Sequence, residues 1–401
     1  MPELILKHSA SVGTPSNGAV SIYAKSDNSV YVKDANGNES TIMYEGAGKN
    51  RIINGDMRIN QRVPGALNVA TATTDGGYTV DRFSTSRGGA YLGTLTWTWD
   101  STDVPTNAQA GRTFKRSLKL TTTQDTTPGT DGYVLLRQKI EGYNIVDIIS
   151  DGYNNGFTLS FWIKNSNIGT YCVSIMDSAQ SRAYLAEYTI NAANTWEKKT
   201  IVVTAAPSGG TWDTTNGIGL LLGWTFVSGT DYDDGVNGTW VSTGEFSTSN
   251  QKNWADVASN VWITGVQLEA GTRATNYEFR SFQQELALCQ RYHQKSMDQG
   301  TAEAHGVSGG MSGIIAYKVT GVVMYVSVPF PVAMRSTPTI SFWGYANEAT
   351  NPAWRDINNT VSLATNADSF NAGQSGFTAR HNATTGTAGH YYIHYSADAE
   401  L

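Results

Sequence analysis

The chain of 401 residues is long enough for two or three domains, each with a core of its own. Charged residues make up only 15% of the sequence, the formal net charge is −6, and no stretch is rich in Lys and Arg. This charge distribution excludes an electrostatic footprint for nucleic acid. With 41 Gly and many Ser, Thr, Asn and Gln, the composition is typical of an all-β protein with short strands.

Patterns for membrane insertion and secretion are missing from the sequence. No apolar run approaches the roughly 20 residues that a membrane-spanning helix requires. Residues 1–11 do not show a basic region followed by an apolar core. Both cysteines, Cys172 and Cys289, fall in apolar patterns and are predicted to be buried thiols. We therefore expect synthesis in a reducing cytoplasm and no membrane insertion.

Residues 1–45 are predicted to form a terminal segment without a core of its own. Residues 19–25 and 29–33 alternate apolar and polar side chains around turn residues 26–28, which is a hairpin pattern. An isolated two-stranded hairpin is marginally stable in water. This segment must therefore pack on something else.

Residues 50–280 are predicted to form a large antiparallel β-sandwich. Short runs rich in β-branched and aromatic residues alternate with clusters of Gly, Asn, Asp, Ser and Thr. No helical pattern is long enough to connect parallel strands. The predicted strands span residues 94–100, 117–122, 133–140, 158–164, 171–176, 183–190, 197–203, 217–226 and 261–268.

The last of these strands passes into a helical joint, residues 281–299. Ser281 and Gln284 have the spacing of a capping box at the start of a helix. We predict a helix over residues 281–295, either packing between two β domains or lying on the axis of an oligomer. Its apolar stripe comprises Phe282, Leu286, Cys289 and His293.

Residues 300–401 are predicted to form a second, smaller β domain. Strand patterns occur at residues 313–318, 322–328, 337–343 and 390–395. Gly, Asn, Ala and Thr dominate residues 344–389, so this stretch is predicted to be loops. The fold class is therefore all-β, with a terminal hairpin, a sandwich, a short helix and a distal β domain.

Two groups of aromatic residues are candidates for binding sugars. Aromatic faces stack on the C–H faces of sugar rings, and neighbouring polar groups pair with their hydroxyls. The alternative is that these rings pack in a core or at a strand edge. Trp162, inside an apolar strand, is predicted to be such a core residue. The candidates are Trp212, Asp231, Tyr232 and Trp240 in the loop-rich region 209–260, and Trp343, Tyr345 and Trp354 in the distal domain.

Patterns for catalysis and for cofactor binding are weak. Residues 306–310 match G-x-S-x-G, but a nucleophile elbow requires a strand before it and a helix after it, and neither is predicted. Asp231, Asp233, Asp234 and Asn237 offer oxygen ligands for a structural calcium ion, but their spacing is not that of an EF-hand loop. We expect no metal, no cofactor and no catalytic residue.

Several motifs occur along the chain in a characteristic order. Residues 18–37 contain Gly18-x-x-x-Ile22-Tyr23-Ala24-Lys25 and Tyr31-Val32-Lys33-Asp34, and residues 50–62 read NRIINGDMRINQR. Residues 78–83 read YTVDRF, residues 159–164 LSFWIK, residues 194–199 NTWEKK, and the chain ends in ADAEL. As a set, these motifs resemble bacteriophage tail-fibre and related receptor-binding (spike) proteins with a jelly-roll domain like that of carbohydrate-binding modules.

The resemblance implies a protein of the virion surface, made in the host cytoplasm and released by lysis. Residues 1–45 would then anchor the protein to other virion proteins. The jelly-roll β-sandwich would bind polysaccharide on the host surface, and the protein would be a homotrimer. Related jelly rolls hold a structural calcium ion with an Asp in the last strand, whereas residues 263–266 here contain no carboxylate. Two alternatives stay open, namely a depolymerase that cleaves the glycan and a structural connector that carries another fibre protein.

Overall fold

The computed structural model describes residues 9, 12–25, 30–37, 39–41, 48–62, 66–69, 77–89, 93, 95–122, 128–149, 156–204, 209–242, 244–253, 259–307, 313–345, 352–356 and 361–401. The chain divides into two units, Met1–Lys49 and Asn50–Leu401. The predicted boundaries at residues 280 and 299 fall inside the second unit and stay a prediction. The predicted turn at residues 26–28 lies outside the described residues.

The first unit contains an antiparallel sheet of three short strands. Strands β1 (Ser21–Ala24) and β2 (Val30–Lys33) form the predicted hairpin, and β3 (Glu39–Thr41) adds to β2. Tyr23 pairs with Tyr31 across the hairpin, and their rings stack at 5.9 Å. The alternating pattern of these strands therefore places one aromatic pair on the same face of the sheet.

Two six-stranded antiparallel sheets form the sandwich of the second unit. The front sheet has the order β14-β11-β10-β13-β8-β5 and the back sheet the order β12-β9-β15-β7-β6-β4. Between these strands lie a short 3₁₀ helix (Gly142–Asn144) and the short helices α1 (Asn107–Ala110) and α2 (Val146–Ile149). The strands are β4 (Ala66–Val69), β5 (Phe83–Gly88), β6 (Leu95–Asp100), β7 (Ser117–Thr122), β8 (Tyr133–Glu141), β9 (Phe157–Asn165), β10 (Gly169–Met176), β11 (Ala183–Ile190), β12 (Glu197–Val203), β13 (Ile218–Ser228), β14 (Thr239–Val241) and β15 (Asn260–Ala270).

The main hydrophobic core lies between these two sheets. In β9, Leu159, Phe161 and Ile163 point into it and are fully buried. The intervening Trp162 is half-buried and lies on the outer face of the back sheet, so the prediction that it belongs to the core is wrong. Successive side chains of a strand point to opposite faces, and the neighbouring Phe161 occupies the inner position.

Helix α3 (Phe282–Gln290) begins with the predicted capping box. The Ser281 side chain accepts a hydrogen bond from the Gln284 amide, and the Gln284 side chain accepts one from the Ser281 amide. The helix is shorter than predicted, because His293 belongs to the strand β16 (His293–Lys295). No helix among the described residues is long and apolar enough to cross a membrane.

The apolar stripe of α3 packs within its own chain. Leu286 and Cys289 are buried against Ile53 and Ile59, which belong to the NGDM-containing segment at the start of the unit. Phe282 is 44% exposed. Leu286 and Cys289 thus pack within the chain, and a place for this stripe between two β domains or on the axis of an oligomer stays a prediction.

The distal region is a set of antiparallel strands around the long last strand. Strand β24 pairs with β16, β17, β19 and β20, and β18, β22 and β23 form a separate small sheet. Its own core contains Phe342, Trp354, Phe377 and Ile393. The strands are β17 (Ile314–Lys318), β18 (Met324–Pro329), β19 (Thr339–Trp343), β20 (Ala353–Asp356), β21 (Val361–Asn366), β22 (Asp368–Gly373), β23 (Gly376–His381) and β24 (Gly389–Asp398).

The prediction of loops over residues 344–389 is wrong, because β20, β21, β22 and β23 lie there. These strands are only four to six residues long. Small and polar residues have weak strand propensity, and their pairing with β24 and β18 comes from tertiary contacts.

Two of the sequence motifs contact each other at the start of the second unit. Asn54, with a left-handed φ of 61°, donates from its side chain to the carbonyls of Ile59 and Asp81 at 2.8 and 2.9 Å. Its side-chain oxygen accepts from the Ile59 amide at 2.9 Å. Asp81 in turn accepts from the Gln61 amide at 2.8 Å. The NGDM…NQR and DRF motifs are thus joined by one buried network of hydrogen bonds.

Residues at the end of the chain contact the same two motifs. Arg62 forms ion pairs with Asp398 at 2.8 Å and with Glu400 at 3.2 Å. Arg82 forms an ion pair with Glu400, and its guanidinium carbon lies 3.5 Å from the centre of the Tyr292 ring. Motifs separated by more than 300 positions therefore meet in one polar cluster, which holds the last strand against the sandwich.

Candidate functional site

Trp212 and Trp240 meet at the edge of the front sheet. Their ring centres are 5.5 Å apart and their planes are nearly perpendicular, at 87°. Trp240 lies in β14 opposite Tyr184 of β11, whose buried ring is 5.3 Å away. Both tryptophans are half-buried and contact the main core along one side. We call these two residues, with Tyr184 beneath them, the tryptophan surface.

Hydrogen bonds fix the loop that carries Trp212. The indole Nε1 donates to the carbonyl of Gly209 at 2.7 Å. The fully buried Asp177 accepts from the Thr211 amide and from the Ser181 hydroxyl, each at 2.7 Å. Because the loop is held by both its own backbone and a buried carboxylate, the indole ring is preorganised.

Position 210 has to be glycine. Gly210 has a left-handed φ of 85°, and a Cβ there would lie 2.9 Å from Cβ of Arg182. The guanidinium of Arg182 donates to the Ser242 hydroxyl at 2.8 Å, next to the end of β14. The loop and the strand edge thus approach closely, which brings the two tryptophans together.

Two perpendicular indole rings with polar neighbours can bind a sugar. One ring face stacks on the C–H face of a pyranose, and the second ring limits its orientation. Burial raises the pKa of the Tyr184 phenol, which stays neutral beneath the two rings. The tryptophan surface therefore fits an uncharged, hydroxyl-rich ligand, and it needs no catalytic group.

Asp231 and Tyr232 belong to another part of the front sheet. Tyr232 packs on the outer face of this sheet, with its ring 4.8 Å from Phe246 and 5.4 Å from Tyr133. Asp231 is exposed, and its amide donates to the carbonyl of Thr130 at 2.8 Å. Tyr232 thus covers the sheet, while Trp212 and Trp240 form a separate pair.

The residues proposed as calcium ligands do not form an evident cation site. Within the described ranges, no group of three His, Cys, Asp or Glu side chains is placed to hold a metal ion. Burial and the neighbouring Asp234 raise the pKa of Asp233 above its usual value. The Asn237 side-chain oxygen already accepts from the Glu187 amide at 3.0 Å. Ser308 of the G-x-S-x-G sequence lies outside the described residues.

The distal candidates differ in exposure. Trp354 is fully buried in the distal core and donates to the carbonyl of Arg380 at 3.3 Å, so its prediction as a ligand-binding residue is wrong. A strand in the predicted loop region carries it inward. Trp343 is half-buried and donates to the Ser396 hydroxyl at 3.0 Å, and Tyr345 lies 5.5 Å from the ring of Tyr392. These two residues stay candidates.

A cavity on the outer face of the back sheet was not predicted from the sequence. It has a volume of about 480 Å³, and Trp162 forms part of its wall. The signal that points to it is the alternation within β9: once Phe161 and Ile163 are placed inside, Ser160 and Trp162 must face outward. We call it the back-sheet cavity.

Comparison with solved structures finds similar folds, all at low sequence identity and with low TM-scores. No family model and no curated protein matches the chain. Among solved structures, the enzymatically active domain of tailspike protein 4 of Bacteriophage CBA120 matches with 16% identity and a TM-score of 0.30, covering 55% of this chain and 21% of that one.

Two carbohydrate-binding modules are similar at the same level. The module CBM4 has 12% identity and a TM-score of 0.28, covering 55% of this chain and 99% of its own. The family 11 module of a cellulosomal cellulase of Clostridium thermocellum has 12% identity and a TM-score of 0.26, covering 51% and 96%. At these scores the matches carry no argument about function. The all-β sandwich rests on the strand topology described above.

Proposed function

We propose that the protein is a fibre or spike protein of a bacteriophage virion that adsorbs to the host by binding a cell-surface glycan. The observation that carries the glycan binding is the tryptophan surface, in which two half-exposed indole rings are held perpendicular at a strand edge. The ordered motif set, which resembles tail-fibre and receptor-binding proteins, supports the virion role. A connector would not require this exposed aromatic pair, whereas a depolymerase would also bind the glycan and differs in releasing reducing sugar.

Attachment through such a surface depends on several copies. One sugar gains little free energy, because stacking and hydrogen bonds both compete with water. A homotrimer presents three sites, and simultaneous binding raises the apparent affinity by two or more orders of magnitude. The exposed side chains of Ile315, Tyr317 and Tyr325, at 40%, 57% and 55%, offer apolar area for contacts between copies.

Substitutions in the tryptophan surface test the proposal. Trp212→Ala and Trp240→Ala should each abolish most adsorption of the purified protein to host cells, measured with a fluorescent label. The thermal unfolding midpoint should change by a few degrees at most, since both residues lie at the rim of the core. Phe370→Ala, which removes a ring that is 45% exposed in the distal region, serves as the control.

Unchanged adsorption of both tryptophan variants would contradict the assignment of the tryptophan surface and move the receptor site to Trp343 and Tyr345. Release of reducing sugar from host polysaccharide would favour the depolymerase. Binding of the protein to isolated virion proteins but never to cells would favour the connector.

A further inference from the structure

The back-sheet cavity is formed by three strands, the end of α1 and two loops. Trp162 of β9 and Gly265 of β15 line it from the sheet, Arg112 and Phe114 from the loop after α1, and Tyr277 from the segment before α3. Its volume of about 480 Å³ lies in the range of small-molecule sites. The cavity lies on the back sheet, whereas the tryptophan surface lies at the edge of the front sheet.

A β-bulge keeps this cavity open. The register between β9 and β15 shifts between Thr264 and Gln267, and Gly265 adopts a left-handed φ of 62°. A Cβ at this position would lie 2.8 Å from Cζ of Phe114 and 3.1 Å from Cδ1 of Trp162. Only glycine therefore leaves both rings in place and their common space empty.

Arg112 is held rigidly at the wall of the cavity. Its guanidinium carbon lies 5.3 Å from the ring centre of Phe114, 5.0 Å from Tyr277 and 4.9 Å from Phe279. One N–H group donates to the carbonyl of Tyr277 at 2.9 Å, and Nε has no partner among the described residues. Since a guanidinium carries five N–H donors, Arg112 retains the capacity to bind an acceptor from a ligand.

The charge of the cavity is opposite to that of the chain. Lys198 of β12 lies directly opposite Trp162 in the strand pairing and also lines the cavity, whereas none of the lining residues that the structure describes is acidic. The whole chain, by contrast, has a formal net charge of −6. Gln109 and Asn276 add polar side chains to the same wall. The ligand that fits has an anionic group, hydroxyls and an apolar face.

We propose that the back-sheet cavity binds an acidic sugar residue, a hexuronic acid within a polysaccharide chain. The sugar ring stacks on Trp162, and its carboxylate pairs with Arg112 and Lys198, because a guanidinium binds a carboxylate through two parallel hydrogen bonds. This site rests on the proposed glycan binding for its ligand class. It is physically separate from the tryptophan surface, and it would add selectivity for charged host polysaccharides.

A matched pair of ligands tests the role of the carboxylate. A glucuronate-containing oligosaccharide and its carboxyl-reduced form, which differ only in that group, are titrated into the full chain by isothermal titration calorimetry. The reduced form should bind at least tenfold more weakly at low salt. Affinity for the acidic form should fall as the salt concentration rises, since salt screens exposed charges.

Substitutions then locate the binding. Lys198→Gln should weaken binding of the acidic oligosaccharide several-fold and reduce its salt dependence. Trp162→Ala should weaken binding of the acidic oligosaccharide and also any remaining binding of the reduced one. Lys115→Gln removes a charge from an exposed residue of the Arg112 loop that does not line the cavity, and it should have no effect. Unfolding midpoints of all variants show that the fold is retained.

The outcomes separate this site from the proposed function. Equal affinity for the two oligosaccharides would overturn recognition of the carboxylate. If Lys198→Gln and Trp162→Ala both leave the affinity for the acidic oligosaccharide unchanged, the cavity is not its binding site, while the proposed glycan binding stands. If neither oligosaccharide binds while cells are still adsorbed through Trp212 and Trp240, the cavity proposal alone fails. Loss of every saccharide and cell interaction overturns both.

Discussion

Two adjacent residues of β9 should respond very differently to truncation. Phe161 is fully buried, and its ring packs edge-to-face against Tyr188 at 5.3 Å and Trp224 at 5.7 Å. Phe161→Ala removes these contacts and leaves a closed cavity, which costs roughly 3–5 kcal/mol. Trp162 lies on the outer face beside an open cavity. Water can occupy the vacated space there, so Trp162→Ala should cost roughly 1–2 kcal/mol despite the larger side chain.

Urea unfolding followed by far-ultraviolet circular dichroism measures the difference. The midpoint for Phe161→Ala should fall far below that of the wild type, and the midpoint for Trp162→Ala only slightly, with similar slopes. Phe161→Leu, which keeps most of the apolar volume, provides a measurable intermediate if Phe161→Ala does not fold. A Trp162→Ala variant as unstable as Phe161→Ala would refute the placement of Trp162 on the outer face, and with it the back-sheet cavity.

Four further predictions concern the ends of the chain and the joint. Ser281→Ala should lower the stability of the second unit by about 1 kcal/mol in the same urea assay, because the Gln284 amide loses its hydrogen-bond acceptor. A Ser281→Asp variant that is equally destabilised would argue against capping. Burial and Arg62 lower the pKa of His293, but hydrogen bonds to Asp398 and Glu303 outweigh them and raise it above 6.5. Protonated His293 therefore stabilises the fold fully below pH 6.5, and this contribution is lost as the pH rises through the raised pKa. Urea midpoints should fall above pH 6.5, and they should fall less in His293→Gln. Burial raises the pKa of Asp398, but His293 and Arg62 bring it down to about 2. The ionised Asp398 therefore contributes to stability above pH 3.8, and this contribution is lost as the pH falls towards 2. The contribution to the free energy of unfolding is only about 1 kcal/mol, because 44% of the side chain is exposed. Removal of residues 1–44 should leave a folded protein, because the core clusters of the second unit begin at Ile52. The truncated protein should no longer join virions. Its assembly onto particles would show that the anchor lies elsewhere.

The positions of several strands were predictable from the sequence. Strands β7, β11 and β12 have the predicted bounds, and β15 extends its prediction by one or two residues at each end. The capping box of Ser281 and Gln284 was also predictable, since both of its hydrogen bonds are local. These features depend on neighbours within a few residues, and that information is present in any short window of sequence.

The face on which a side chain lies required the tertiary structure. In the stretch LSFWIK, the consecutive apolar residues Phe161, Trp162 and Ile163 obscure the alternation that Ser160 and Lys164 mark, and Trp162 was therefore predicted to be a core residue. Trp354 was likewise misplaced: its strand β20 lies in a stretch rich in Gly, Asn, Ala and Thr, and the residue is buried because β20 pairs with β24. Burial of an aromatic residue is therefore a property of strand register, which pairing partners decide.

The sequence by itself determined the all-β class, most strand positions and the start of the helix, because hydrophobic period and capping act locally. Only the tertiary structure decided which aromatic residues are available to a ligand. It paired Trp212 with Trp240 across a gap of 28 positions, opened the back-sheet cavity at the Gly265 bulge, and brought Arg62 and Arg82 to Glu400. These contacts join residues far apart in the chain, and their geometry depends on sheet order and register, which no local pattern encodes.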